Sequence, residues 1–197
     1  ALEVKSHKEI RTKVLSNPID GCITRSANGK LQYTIPEIRI KKLDEIPSPY
    51  LTGLMDKFFD GKLCPTIQTN RGCPFHCTFC TDGRDSVNQV NSFSLDRVSA
   101  EIDYIANHVT WNTAQLLISD LNFGMFPKDS EICDYINESK KKYGYPKFVH
   151  TTTGKNKKER IISNIEKLGG TIKMDMAIQS TTPEVLKNTR RDNISTE

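Results

Sequence analysis

Nothing in these 197 residues approaches the roughly 18 consecutive apolar residues that a membrane-spanning helix needs. The opening "ALEVKSHKEIRTK" carries too much charge for a secretory signal. A strong charge bias is also missing, since 28 Lys and Arg stand against 24 Asp and Glu, a net of +4. Outside "KKK" (140–142) and "KNKKER" (155–160) the basic residues are scattered. Runs of that kind are ordinarily solvated helix faces and loops, so nucleic acid is not an expected partner. Nor is there an evenly stapled disulfide framework: of six cysteines, Cys22, Cys64 and Cys133 are dispersed and the other three crowd together. These absences predict a cytoplasmic protein without a membrane partner, in which clustered cysteines serve metal or redox chemistry.

The length allows one main domain with an appendage. The chain starts at Ala1 and stops at "RRDNISTE", soon after a helix-like segment, and reads as a fragment of a longer protein. Residues 1–20 show a ragged helical pattern in Leu2, Val4, Ile10, Val14 and Leu15 that stops at "SNPIDG". In "GCITRSANGKLQYTIP" two alternating runs flank Asn28-Gly29, a pair favoured where a hairpin turn needs positive φ at both central positions, which predicts a β-hairpin. The prolines of "LDEIPSPYLTGLMDKFF" mark a linker lying on a surface. Residues 1–59 are therefore expected to be the tail of an upstream domain, a hairpin and a linker, with the main domain at 60–197.

From residue 64 strand-like and helix-like segments alternate. "CPTIQTN" (64–70) is β-prone and leads into the cysteines. "SLDRVSAEIDYIANHV" (94–109) has Leu95, Val98, Ile102, Ile105 and Val109 at helical spacing behind a candidate cap at Ser94. "AQLLISDLNF" (114–123) predicts a strand and "KDSEICDYINESKKKYG" (128–144) a helix stopped by Gly144. "KFVHTTTG" (147–154) with "KKERIISNIEKLGG" (157–170), and "TIKMDMAIQS" (171–180) with "TPEVLKNTRR" (182–191), complete four β-α units. Four such units in succession predict an α/β fold with parallel strands and covering helices, wound either as an open sheet or as part of a barrel.

"NRGCPFHCTFC" (70–80) places Cys73, Cys77 and Cys80 within eight positions. Gly, Pro and charge around them argue against three inert core cysteines. Zinc is a rival, with His76 as a fourth ligand, but His76 adjoins Cys77 and no second ligand pair follows. A 4Fe-4S cluster commonly takes four cysteines. Cys64 lies about 20 Å or more away at roughly 3.3 Å per strand residue, while Cys133 and Cys22 read as packing residues. An iron with one open position is the economical reading. A zinc-binding or iron-sulfur electron-transfer module without catalysis stays as the alternative.

"CPFHCTFC" resembles the C-x-x-x-C-x-aromatic-C signature of the radical S-adenosylmethionine (SAM) enzymes, with Phe79 at the aromatic position. The resemblance implies Cys73, Cys77 and Cys80 as ligands of a 4Fe-4S cluster whose open iron binds S-adenosylmethionine, and reductive cleavage to a 5'-deoxyadenosyl radical. It further implies a partial (β/α) TIM-like barrel, of which the four units here would be the first of six. The stretch "LDEIPSPYLTGLMDKFFDGKLCPTIQTNRGCPFHCTFC" is similar to the branch with an N-terminal cobalamin (B12)-binding domain. Cobalamin dependence thus comes by association, because the Asp-x-His-x-x-Gly ligand motif is not in this chain. Methyl transfer or a related modification of a small-molecule substrate would follow, with an electron donor such as flavodoxin or ferredoxin.

The same resemblance puts Phe79 near the adenine, and Asp120 and Asn122 of "SDLNFG" where the family recognises the amino group of S-adenosylmethionine; loop capping is the bland alternative. Gln179 and Ser180, in a segment like the family's "GIQS", would meet the ribose or carboxylate from within the fourth strand. His150 and Thr151 to Thr153 are weighed as cavity-lining residues against ordinary strand composition. Arg71 and Arg190 are weighed as anion contacts against surface solvation.

Overall fold

A computed structural model describes residues 6–16, 19, 21–33, 40–85, 88–191 and 193. The chain divides into two compact units, 1–41 and 42–197. In the first, helix α1 (His7–Ser16) precedes strands β1 (Ile23–Arg25) and β2 (Leu31–Tyr33), which pair antiparallel with Ile23 opposite Tyr33. Leu2, Val4 and, within "SNPIDG", Asn17, Pro18 and Asp20 lie outside the described residues. The hairpin forms, but its connection is longer than the two-residue turn expected from Asn28-Gly29. Gly29 alone takes positive φ (82°), donating to the Ser26 carbonyl at 2.9 Å, while the Asn28 side chain accepts from the Lys30 amide at 3.2 Å.

The second unit begins well before residue 60. Leu43 and Tyr50 are buried, and the Tyr50 hydroxyl both donates to the Thr66 carbonyl (2.8 Å) and accepts from the Thr66 amide (2.9 Å). Ser48 donates to Glu101 at 2.5 Å, and Arg97 reaches the Ile46 carbonyl at 3.1 Å. The expected linker therefore belongs to the main unit, because its few apolar and hydroxyl side chains satisfy groups of the core.

Four parallel strands form the sheet, in sequence order: β3 (Thr66–Ile67), then, past a separate small pair of strands β4 (Asn70–Arg71) and β5 (Asn91–Ser92), β6 (Gln115–Phe123), β7 (Phe148–Thr153) and β8 (Ile172–Asp175). Helices α2 (Leu95–His108), α3 (Asp129–Tyr143), α4 (Lys158–Lys167) and α5 (Pro183–Asn188) follow the four sheet strands in turn. The Ser94 hydroxyl caps α2 by accepting from the Arg97 amide, and Gly144 ends α3 at φ 72°, both as the sequence predicts. Strand β8 is shorter than expected. It ends at Asp175, so Gln179 and Ser180 fall in an irregular segment after it rather than within the strand.

Alternation along β6 buries Leu116, Ile118, Asp120 and Asn122 while Ser119 and Leu121 face outward. The buried face packs with Val98, Ile102 and Ile105 of α2, Ile132 and Ile136 of α3, and Val149 of β7. Each fully buried aliphatic side chain of this kind contributes about 1.5–3 kcal/mol. Cys133 sits in the same core, where burial pushes its thiol up to about 12, so it is a packing residue as expected. Cys22 is instead exposed. Among the described residues, no helix is long and apolar enough to cross a membrane.

Candidate metal centre

The cysteine loop leaves β4 and returns in β5. These two strands pair antiparallel, Asn70 opposite Ser92 and Arg71 opposite Asn91, so a short ladder pins the base of the loop. Beneath it the buried Asp120 carboxylate accepts from the Thr69 amide (2.7 Å), the Thr69 hydroxyl, the Asn70 amide (3.3 Å) and Asn70 Nδ2 (2.7 Å). Burial is the largest influence on Asp120 and raises its pKa against those hydrogen bonds. Lys128 donates to the Thr69 carbonyl at 2.8 Å, and burial lowers its own pKa. Asp120 thus sits under the loop with both oxygens engaged.

Within the loop, Cys73, Phe75 and Cys77 are buried against Met125, with Cys80 and Phe126 packed at the edge. Cys80 donates its amide to the Cys77 carbonyl (3.1 Å), and Gly83 donates to the Cys80 carbonyl (3.2 Å). Phe79 is 54% exposed beside a cavity of about 590 Å³ that His76, Thr78, Cys80, Arg84 and Arg190 help to line. The Thr78 amide donates to the Thr189 carbonyl at 3.0 Å, joining the loop to the end of α5. From that end the Arg191 guanidinium donates to the Ala177 carbonyl, and Asn193 Nδ2 donates to the Ser180 carbonyl at 2.9 Å. Gln179 is exposed there, and the Ser180 hydroxyl accepts from the Thr182 amide at 3.0 Å.

Asn122 reaches the cysteines directly. Its Nδ2 donates to Cys73 Sγ at 3.4 Å, while its Oδ1 accepts from Lys155 Nζ at 2.9 Å. Lys155 also approaches Cys73 Sγ at 3.8 Å. A charged run that reads as surface therefore sends one lysine inward, over contacts that no local pattern reveals. Thr151 and Thr153 point into the buried face, whereas His150 lies on the opposite one with Nε2 2.5 Å from Asp175 Oδ2. Strand alternation separates what the sequence groups as one lining run. Arg71 bonds Gln68 at 2.8 Å, so Arg190 is the one of the two arginines at the cavity.

His76, the candidate fourth ligand of the zinc alternative, has partners outside the cysteines. It stands 3.4 Å from Asp85 and 3.0 Å from Asn88, and among the described residues no three His, Cys, Asp or Glu side chains converge on one ion position. A zinc ion would draw its ligands to one point, whereas an iron-sulfur cluster takes a thiolate at each of several irons. Amide and ammonium donors at Cys73 suit an anionic sulfur, so the residues present fit an iron-sulfur cluster.

The profile of the Radical SAM superfamily matches residues 67–196, which contain this whole constellation. The chain belongs to the radical SAM superfamily. Among curated relatives, this radical SAM chain is 32% identical over 174 residues to 2-(S-pantetheinyl)-carbapenam-3-carboxylate methyltransferase of Streptantibioticus cattleyicolor, covering 82% of the chain and 25% of the relative. It is 32% identical over 168 residues to the cobalamin-dependent radical SAM methyltransferase TokK of Streptomyces tokunonensis, covering 79% and 24%. The radical SAM chain thus spans about a quarter of the length of these relatives. The solved structure of the cobalamin-dependent S-adenosylmethionine radical enzyme OxsB, with aqua-cobalamin and S-adenosylmethionine bound, aligns with 90% of the chain and 27% of its own at a TM-score of 0.60 and 19% identity. That likeness concerns the fold: a mixed α/β arrangement around a parallel sheet, consistent with a partial TIM-like barrel.

Proposed function

We propose that this chain is the cluster-binding part of a cobalamin-dependent radical SAM methyltransferase. The observation that carries the reading is the cysteine loop, with Cys73 and Cys77 buried against Met125 while Cys77, Phe79 and Cys80 line an open cavity. Cys73, Cys77 and Cys80 would hold a 4Fe-4S cluster, leaving one coordination position for S-adenosylmethionine. When bound, the cluster supplies the electron that cleaves the sulfonium to a 5'-deoxyadenosyl radical.

The chain's own side chains do the holding. Phe79 offers an exposed ring to the adenine, and Gln179 and Ser180 approach the ribose or carboxylate from the segment after β8. Asn122 orients Cys73, and Asp120 serves from below by fixing Thr69 and Asn70. The four β-α units would be the first of six in a partial barrel. Free thiol ligands require a reducing compartment. Methyl transfer is supported by the names of both methyltransferase relatives, a small-molecule acceptor by that of the carbapenam-carboxylate enzyme and cobalamin by that of TokK; an N-terminal domain would bind the cobalamin. A flavodoxin- or ferredoxin-type donor would supply electrons.

The test uses the full-length protein, reconstituted anaerobically with iron and sulfide. Electron paramagnetic resonance of the reduced protein is expected to reveal a cluster whose spectrum changes when S-adenosylmethionine is added. With cobalamin and a reductant, 5'-deoxyadenosine and S-adenosylhomocysteine should then form. Stoichiometric zinc in place of iron, or a spectrum indifferent to the nucleotide, would overturn the reading.

A further inference from the structure

We infer that Lys155 is a positioning residue that raises the reduction potential of the bound cluster through Cys73. The inference rests on the cluster reading above and deepens it. Lys155 follows Gly154 at the end of β7, where a β-carbon on Gly154 would stand 2.7 Å from Met125 Cβ; the glycine lets the chain pass close to Met125. From there Nζ donates to Asn122 Oδ1 at 2.9 Å, lies 3.8 Å from Cys73 Sγ and stands 5.0 Å from the Phe75 ring centroid. Asn122 completes the bracket with its own 3.4 Å contact to the same sulfur.

The charge balance gives this arrangement its meaning. A half-buried ammonium loses hydration and needs compensation. Among the described residues no carboxylate forms an ion pair with Lys155; its partners are an amide oxygen, an aromatic face and a cysteine sulfur. The first two are partial compensation. A Cys73 thiolate, the form in which cysteine binds metal, supplies the missing negative charge. Lys155 therefore has a counter-ion when the cluster is in place. Cluster potentials follow net charge and hydrogen bonds to the sulfurs, and a cation beside a ligand sulfur favours the reduced, more negative state.

The experiment compares wild-type full-length protein with K155R, K155Q and K155M after reconstitution, measuring iron and sulfide content and then the midpoint potential by spectroelectrochemistry, without S-adenosylmethionine. The expected result is a reduction equilibrium about tenfold weaker in K155Q and K155M, which for one electron is about 59 mV more negative, with K155R near wild type. Loss of iron in the two neutral variants, restored by K155R, would equally support a charge pairing with the thiolate. Equal potentials in all four proteins overturn the inference, as does equal loss of cluster in all three variants, which would mark a purely steric role. If wild-type protein takes up no cluster, the functional reading itself fails, an outcome distinct from these.

Discussion

Gly83 lies so close to the Cys77 backbone that a β-carbon at position 83 would stand 2.5 Å from the Cys77 carbonyl oxygen and 3.0 Å from its nitrogen. Both atoms are main chain, so neither can swing aside as a flexible side chain would. Gly83→Ala must displace the turn that carries Cys77 and Cys80, at a cost of about 1–3 kcal/mol by analogy with overpacking. The expected outcome is a fall in iron and sulfide bound per chain while far-ultraviolet circular dichroism stays that of the folded protein. Full loading of the variant would show that the loop has slack.

Asp120 gives a second expectation. Four donors from Thr69 and Asn70 converge on its carboxylate, so removing it strands buried polar groups. Asp120→Ala should lower unfolding stability by roughly 3 kcal/mol or more, on the scale of a broken buried charge network. Chemical denaturation of wild type and variant measures it. A stability loss under ~0.5 kcal/mol would contradict the anchoring role.

The third concerns pH. Asp129 accepts the Gly124 and Phe126 amides at 2.8 and 2.9 Å, yet burial lifts its pKa from 3.8 to about 6, with Asp120 adding to the rise and Lys128 opposing it. A carboxyl whose folded pKa is raised binds its proton more tightly when folded. Its contribution is fully present below pH 3.8 and is lost as pH rises through about 6. That amounts to about 3 kcal/mol. Denaturation midpoints should therefore fall mainly between pH 3.8 and about 6 and level off above that, and Asp129→Asn, which keeps an acceptor for the two amides, should flatten that fall. An unchanged slope in the variant would assign the effect to other groups.

Tyr50 tests where the main unit begins. Tyr50→Phe leaves the Thr66 amide and carbonyl without their shared hydroxyl, an expected loss of about 1–3 kcal/mol. Thermal unfolding of wild type and variant compares them, and a neutral result would return residues 42–59 to the status of a loosely attached linker.

Local rules carried the helices into view. The spacing of Val98, Ile102 and Ile105, the Ser94 hydroxyl and the αL glycine at 144 each act within a few residues, so sequence alone reveals them. The cysteine spacing is likewise local. Lys155 was illegible because its partner Cys73 lies 82 residues away and its neighbours are ordinary surface lysines. Tyr50 was hidden in the same way by prolines that read as linker. Asp120 stood out as a polar residue near a strand end, but whether its oxygens were free or engaged depended on Thr69 and Asn70, which only folding brings there. Strand β8 stopped short of "AIQS" where Arg191 and Asn193 claim the Ala177 and Ser180 carbonyls, another long-range choice.

The hydrogen bond from Thr78 to Thr189 also sets a timetable. Chains are made from the N-terminus, and their parts fold as they emerge. The three cysteines therefore leave the ribosome long before the carbonyl that steadies the turn between them. Until Thr189 has followed, the thiols occupy a loop lacking one of its backbone ties, exposed to oxygen and to stray metal. On the cluster reading, iron and sulfide would be best delivered only after Thr189 has emerged and the fourth β-α unit has docked.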